Sequence, residues 1–257
     1  MSTLICFALK EEAAPFRKIA AGKTNISILI VGIGRQNAEK SLREFLSNWG
    51  AHASGVQFSA SRRKHSGATP EQARETRALP QLVLTCGFAG ALNPDLKIGD
   101  VVFEIPSSSS RRESAQIESG EKLEPIYIGC YDKLMVAGAK PAKIFCANRI
   151  ATTIAEKKKL RAETGADAVE MESAAIHAVC REHDIPCATV RVISDTANED
   201  LPLDFNALAK PDRNLDYGKL FLAIARSPGK VGALMQLQKK TKFAAEQLAD
   251  VLAKITA

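Results

Sequence analysis

Apolar residues in this chain fall into two kinds of pattern. The stretches TLICFAL (3–9), ISILIV (26–31), QLVLTC (81–86), GDVVFE (99–104) and CATVRVI (187–193) are nearly continuous in hydrophobicity and rich in β-branched residues. That is how strands covered on both faces read. Between and after them, apolar positions recur at helical spacing, predicting helices over 10–21, 36–49, 153–164, 170–183, 216–226 and 228–254. The helix after Thr153 opens with a capping box, since Glu156 follows three residues on, and stops at Gly165. Alternation of this sort predicts an α/β fold of three layers, α/β/α, around a mixed, mostly parallel central sheet. Two polar stretches, 51–80 and 106–122, interrupt the pattern. Strand patterns resume beyond each, so both read as surface excursions from one domain spanning 1–257.

One helix start carries an anomaly. On a wheel of GADAVEMESAAIHAV (165–179), Met171, Ala174, Ala175, Ala178 and Val179 form an apolar arc, and Glu170, Ser173, His177 and Arg181 gather opposite. Glu172 projects between Val179 and Ile176, at the edge of the arc that packs inward. A carboxylate placed there needs hydrogen-bond partners or an elevated pKa, which marks it as holding something.

Composition removes several alternatives. The net charge of +6 is spread over short groups such as SRRK (61–64), EKKKL (156–160) and LQKKTK (237–242), which read as solvated faces, and aromatics make up only 5%. Neither a basic stripe nor a stacking platform for nucleic acid results. The six cysteines include no C-x-x-C pair and sit partly in strand-like runs, as expected of reduced, buried thiols in a cytoplasmic protein. The start MSTLICFALKEEAAPF has no basic leader and meets charge at Lys10, which predicts neither signal peptide nor membrane anchor. His177 and His183 are six apart on one helix, without the spacing of a metal site.

In such a sheet, ligands bind beyond the carboxyl ends of strands. The segments leaving those ends are ALKEEAA, VGIGRQNA, TCGFAGALNPDLKIGD and RVISDTANED. VGIGRQNA has Asn37 where a dinucleotide fingerprint needs its third glycine, so it reads as a tight turn whose backbone N–H groups can meet an oxyanion. In CGFAGAL, Gly87 and Gly90 bracket a turn where main chain can approach a ligand. Arg191, inside an apolar strand, requires a carboxylate or an anionic ligand; Glu12 is one candidate partner.

The ordered set ALKEEAAPF, VGIGRQNA, TCGFAGALNPDLKIGDVVF and ADAVEMESAAIHAVCREHDIPCATVRVISDTA resembles the nucleoside phosphorylase and nucleosidase superfamily, in particular the methylthioadenosine/adenosylhomocysteine nucleosidases. The pairing of VEMES with VRVISD carries the resemblance furthest. CANRIATTIAEKKKLRAETGADAV and the segment from ISDTANEDLPLDF onward look like the hopanoid-associated phosphorylases of the same superfamily.

The resemblance implies cleavage of a purine nucleoside's N-glycosidic bond, through a state resembling an oxocarbenium ion. Asp195 is then the acid that protonates the leaving base, Glu172 grips the ribose hydroxyls with Met171 under the sugar and Glu170 beside them, and Glu12 orients the attacking water next to Arg191. Phe88, Ala89 and Gly90 border the nucleophile, and the main chain at Asn148, Arg149 and Ile150 faces the base. An aspartate at 195 favours adenine, and LPLDFNAL (201–208) lies near the 5′ substituent. The resemblance implies no cofactor or metal, a small-molecule nucleoside as partner rather than nucleic acid or membrane, and a homodimer or higher homo-oligomer. Phe88 departs from the serine usual at its position in the nucleosidases. Three readings follow. Hydrolysis is favoured because Glu12 repels phosphate; phosphorolysis, with phosphate as co-substrate, would draw on Arg35 and Arg191; a noncatalytic nucleoside binder is the third.

Overall fold

The computed structural model describes residues 2–49, 79–104, 125–208 and 228–257. Strand β1 (Thr3–Phe7) leads through α1 (Lys10–Ala20) to β2 (Ile26–Ile30) and α2 (Arg35–Ser47). A long β3 (Leu82–Ala91) and short β4 (Val101–Phe103) follow, then α3 (Pro125–Val136), β5 (Lys140–Pro141) and β6 (Ile144–Cys146). Next come α4 (Ile154–Thr164), β7 (Ala168–Glu170), α5 (Ser173–Glu182) and β8 (Cys187–Asp195). After a 3-10 turn at Pro228–Lys230, α6 (Val231–Ile255) ends the described chain. The excursions at 51–80 and 106–122, apart from residues 79 and 80, and the helix expected at 216–226 lie outside the described residues.

The sheet runs β2-β1-β3-β8-β4-β5, with β6 and β7 branching from the far end of β3. Pairs β1–β2, β1–β3, β3–β8, β4–β5 and β6–β7 are parallel; β3–β7 and β4–β8 are antiparallel. This is the mixed, mostly parallel sheet that the continuous apolar runs predict, because both faces are covered. Along β1, Ile5 and Phe7 join Phe16, Leu84, Val190, Leu248 and Leu252 on one side. Leu4 and Cys6 join Leu42, Val83, Ile176 and Val179 on the other. The period of two thus sends alternate residues into two cores, one under α1 and α6, the other under α2 and α5.

Three departures from the sequence reading position the site. CGFAGAL is not a turn: β3 continues through it to Ala91, because its C-terminal end still pairs with β8 and gains β7. The helix expected from 170 begins at Ser173, since Ala168–Glu170 is a strand bound to β3 and β6. In α5 the buried stripe is Ala175, Ile176, Val179 and Cys180, while Ala174 and Ala178 face outward. The larger side chains fill the core, and the apolar arc of the wheel is displaced accordingly.

Candidate active site

Arg191 organises the first half of the site. It lies in the middle of β8 at 1% exposure, opposite Gly87 of β3. Its Nη2 donates to Glu170 Oε2 and, at 3.0 Å, to Thr85 Oγ1; its Nη1 stands 3.7 Å from Glu172 Oε2. Its Nε has no hydrogen-bond partner among the described residues. Gly87 is what allows so close a cluster. At its φ of +148°, a Cβ would fall 2.8 Å from Arg191 Nη1 and 2.8 and 2.9 Å from the two oxygens of Glu12. The glycine therefore serves the approach of protein side chains.

Each carboxylate is held by main chain. Glu12, at the third position of α1, folds back to accept the Leu9 N–H at 2.9 Å, the return half of a capping box, and accepts the Phe88 N–H at 2.9 Å. Phe88 thus contributes its backbone amide here, while its ring packs against the core under α1 and α6. Glu172 Oε1 accepts the Gly34 N–H at 2.8 Å, so the amide at the start of α2 meets the protein's own carboxylate. Glu170, the residue the wheel places on the wet face, is 4% exposed and pairs with Arg191. Its oxygens also accept the N–H groups of Glu172 and Ser173, each at 2.9 Å, and the Ser173 hydroxyl at 2.6 Å. The wheel fails there because residues 168–172 are not helical.

These environments separate the three acids. Burial pushes Glu12 up from the usual carboxylate value against its backbone donors and Arg191. Burial also dominates at Glu172, raising it to about 7 despite Arg191. At Glu170 the burial penalty is overcome by Arg191 together with the Ser173 and Glu172 donors, and the carboxyl is lowered. Burial works against the charge of Arg191 in turn, but Glu170, Glu172 and Glu12 outweigh it.

The second half of the site lies three residues along β3, about 10 Å at strand rise. There the β3–β8 register shifts between Ala89 and Gly90, so that Ser194 is extra and Asp195 comes opposite Gly90. Bulges of this kind re-aim side chains. A Cβ on Gly90 would lie 3.1 Å from Asp195 Oδ2. The Ser194 hydroxyl donates to Asp195 Oδ1 at 2.8 Å and approaches the Ala89 carbonyl at 3.3 Å. Lys157 of α4 reaches Asp195 Oδ2 at 2.6 Å.

The remaining expected residues make contacts of their own. Met171 is buried in the bend between β7 and α5. Asn148 and Arg149 are exposed, and Arg149 pairs with Glu156. Ile150 is half-buried, and its peptide is bonded on both sides by the Asn206 carboxamide: Ile150 N–H to Oδ1 at 2.9 Å and Asn206 Nδ2 to the Ile150 carbonyl at 2.9 Å. Arg35 donates to the Cys146 carbonyl. His177 bonds Thr189 Oγ1 at 2.8 Å and is pushed down to about 4 by burial, which fits a neutral core imidazole. Sequence reasoning missed Lys157, Ser194, Thr85 and Asn206. Lys157 alone left a signal, standing in line with Ile154, Leu160 and Thr164 on the inward side of α4.

Residues 139–214 match the family model of the phosphorylase superfamily. The whole chain superposes on futalosine hydrolase of Helicobacter pylori with a TM-score of 0.61 at 20% identity, covering 100% of this chain and 97% of that one. This is the phosphorylase-superfamily fold. The 5′-methylthioadenosine/S-adenosyl homocysteine nucleosidase of Campylobacter jejuni gives a TM-score of 0.59 at 18% identity, covering 100% and 98%. In sequence, the chain is 29% identical over 140 residues to the aminodeoxyfutalosine nucleosidase of Campylobacter jejuni, covering 49% of this chain and 61% of that protein. It is 30% identical over 145 residues to the 5′-methylthioadenosine/S-adenosylhomocysteine nucleosidase of Shewanella pealeana, covering 49% and 62%. The chain therefore spans about three-fifths of the length of these curated relatives. The superfamily resemblance read from VEMES and VRVISD is borne out. No helix among the described residues is long and apolar enough to cross a membrane.

Proposed function

We propose that this chain hydrolyses the N-glycosidic bond of an adenine nucleoside, 5′-substituted, and releases the purine. The observation that carries the reading is the charge balance around Arg191: three buried carboxylates, Glu12, Glu170 and Glu172, face one guanidinium. A surplus of negative charge suits a sugar that becomes cationic as its bond to the base breaks. The same surplus repels phosphate. Of the donors that phosphorolysis would use, the Phe88 N–H is committed to Glu12, while Arg191 and Arg35 each spend Nη2 on the protein, on Glu170 and on the Cys146 carbonyl. The relatives' names, nucleosidases acting on methylthioadenosine, adenosylhomocysteine and aminodeoxyfutalosine, point the same way. So does the neighbour from Neisseria meningitidis, solved in complex with methylthio-immucillin-A.

In this reading Glu12, its basicity raised by burial, takes a proton from the attacking water. Glu172 accepts from the ribose hydroxyls over Met171, and Glu170 holds Arg191 in place with its Nε left as a donor at the site. Phe88, Ala89 and Gly90 floor the cleft, and Asp195 delivers a proton to purine N7. The base edge is read by the main chain at 148–150, where the Asn206 carboxamide offers the acceptor and donor that adenine N1 and N6 would offer and must yield to them. A homodimeric assembly, a cytoplasmic location, a single domain and independence of any cofactor belong to the same reading. The test is incubation with methylthioadenosine, adenosylhomocysteine and adenosine, followed by chromatography of the free base. Adenine should appear, and Asp195→Asn should abolish its release while calorimetry still detects nucleoside binding. Near-normal turnover by that variant would remove Asp195 from the acid role, and no base from any substrate would defeat the proposal.

A further inference from the structure

The run EKKKL places three lysines in succession on α4. Lys158 and Lys159 face solvent, whereas Lys157 has 0% exposure. A buried ammonium needs an acceptor for every proton. Lys157 has them: Asp195 Oδ2 at 2.6 Å, the Thr196 carbonyl at 2.7 Å and the Glu199 carbonyl at 3.0 Å. The other Asp195 oxygen accepts from Ser194 at 2.8 Å. With both oxygens receiving donors and an ammonium in contact, Asp195 in this arrangement is an ion-paired carboxylate. It has no proton of its own to give.

We infer that Lys157 supplies the proton that Asp195 passes to the leaving purine, so that the acid of this site is a lysine–aspartate relay. The inference rests on the nucleosidase reading above and adds a residue to it. As the C1′–N9 bond breaks, its electron pair goes to the purine. Lys157 Nζ gives a proton to Asp195 Oδ2, and Asp195 passes it to N7. Water adds hydroxide to C1′ and gives its proton to Glu12; solvent later reloads Lys157 and unloads Glu12. The partner set of Lys157 is complete for the ammonium. As an ammonium it has three N–H groups for three acceptors. As an amine it keeps two, enough for the Thr196 and Glu199 carbonyls, and its lone pair faces Asp195. The transfer leaves the amine lone pair against the Asp195 carboxylate, and reprotonation by solvent restores that contact.

Other charges nearby are already occupied. The Glu199 carboxylate pairs with Lys240 of α6 and accepts the Thr196 N–H at 2.8 Å, and Glu156, on α4 itself, pairs with Arg149. Asp195 is therefore the acid in contact with Lys157. Lys157 is a positioning residue, acting through Asp195.

The test compares the wild type with Lys157→Gln and Lys157→Met from about pH 5.5 to 9, on methylthioadenosine and on p-nitrophenyl riboside, whose phenolate leaves without being protonated. Loss of a proton donor costs about 100-fold or more in adenine release near pH 8. At every pH p-nitrophenolate release should stay within about threefold of wild type, since its departure draws on no acid. A clamp that merely ties α4 to the turn after β8 would depress both substrates equally at every pH, and that result overturns the relay, as does unchanged adenine release. If neither variant folds, Lys157→Arg decides: a guanidinium keeps the charge but gives up no proton, so adenine release must fall without a matching fall in p-nitrophenolate release, and parallel losses overturn the relay. Failure of the wild type to release any base defeats the nucleosidase reading and this inference with it.

Discussion

Replacing Arg191 by Met removes the one guanidinium shared by three buried carboxylates while nearly keeping the volume of the side chain. In the native arrangement Arg191 is 1% exposed, bonds Glu170 and Thr85, and stands 3.7 Å from Glu172. Removing one partner of a buried ion pair costs about 3–5 kcal/mol, because the other charge stays behind without compensation. For a chain of this size each kcal/mol moves the midpoint by about 2–4 °C, so thermal unfolding should come about 6–20 °C earlier at pH 8. The pH dependence follows from Glu170. Its carboxyl is lowered in the folded protein, so the stability it contributes is present above the ordinary carboxylate range and lost as pH falls through the folded value. The variant forfeits that contribution. Its deficit should be largest at neutral and alkaline pH and shrink as the solution is acidified below about pH 4.5, where the unfolded chain's glutamates are protonated as well. Circular dichroism melts of both proteins across this range make the comparison. A loss under about 1 kcal/mol, the size of a surface pair, or a deficit independent of pH would refute the network as drawn.

Gly87→Ala should be among the most damaging small substitutions in the chain. Its Cβ would meet Arg191 and Glu12 at 2.8–2.9 Å, at a φ of +148° that alanine resists. Overpacking and backbone strain together predict a loss of about 2–5 kcal/mol in urea unfolding, and a variant as stable as wild type would show the cluster to be looser. In the proposed reaction Glu172 sets the acid side of the pH–rate profile. With its carboxyl raised to about 7 by burial, the ionised form that accepts from ribose hydroxyls accumulates as pH rises, so kcat/KM should climb through that region. Glu172→Gln should lower kcat/KM and abolish this limb, and a limb that survives would belong to another group.

Much of the fold was legible because it rests on long, strongly patterned runs: β1, β2, β8 and the helices α1, α2 and α4 appear where their apolar periodicity puts them. Strands β5, β6 and β7 hold two or three residues each, too few for a period of two to show, and they exist because long-range pairing with β3, β4 and β7 makes them. That gap misled the reading of the motif. Glu172 is buried as the wheel suggested, but as the residue preceding α5; Glu170, carried onto the wrong face by extending the helix over β7, is the direct partner of Arg191. Arg191 itself was recognisable as a buried charge in an apolar strand, though its direct partner proved to be Glu170 rather than Glu12. Lys157 was hidden by its neighbours, since three lysines in a row read as a solvated face and only their phase along α4 distinguishes the inward one. The close contacts at Gly87 and the Asn206–Ile150 pair depend on segments far apart in sequence, and no local pattern announces them.

The central claim is that water, and not phosphate, takes the sugar. A reaction of the wild-type protein with methylthioadenosine in ¹⁸O-water containing inorganic phosphate tests it most directly, with mass spectrometry of the sugar product. The account predicts free adenine and a methylthioribose that carries the heavy oxygen at C1; a sugar 1-phosphate without the label would contradict it.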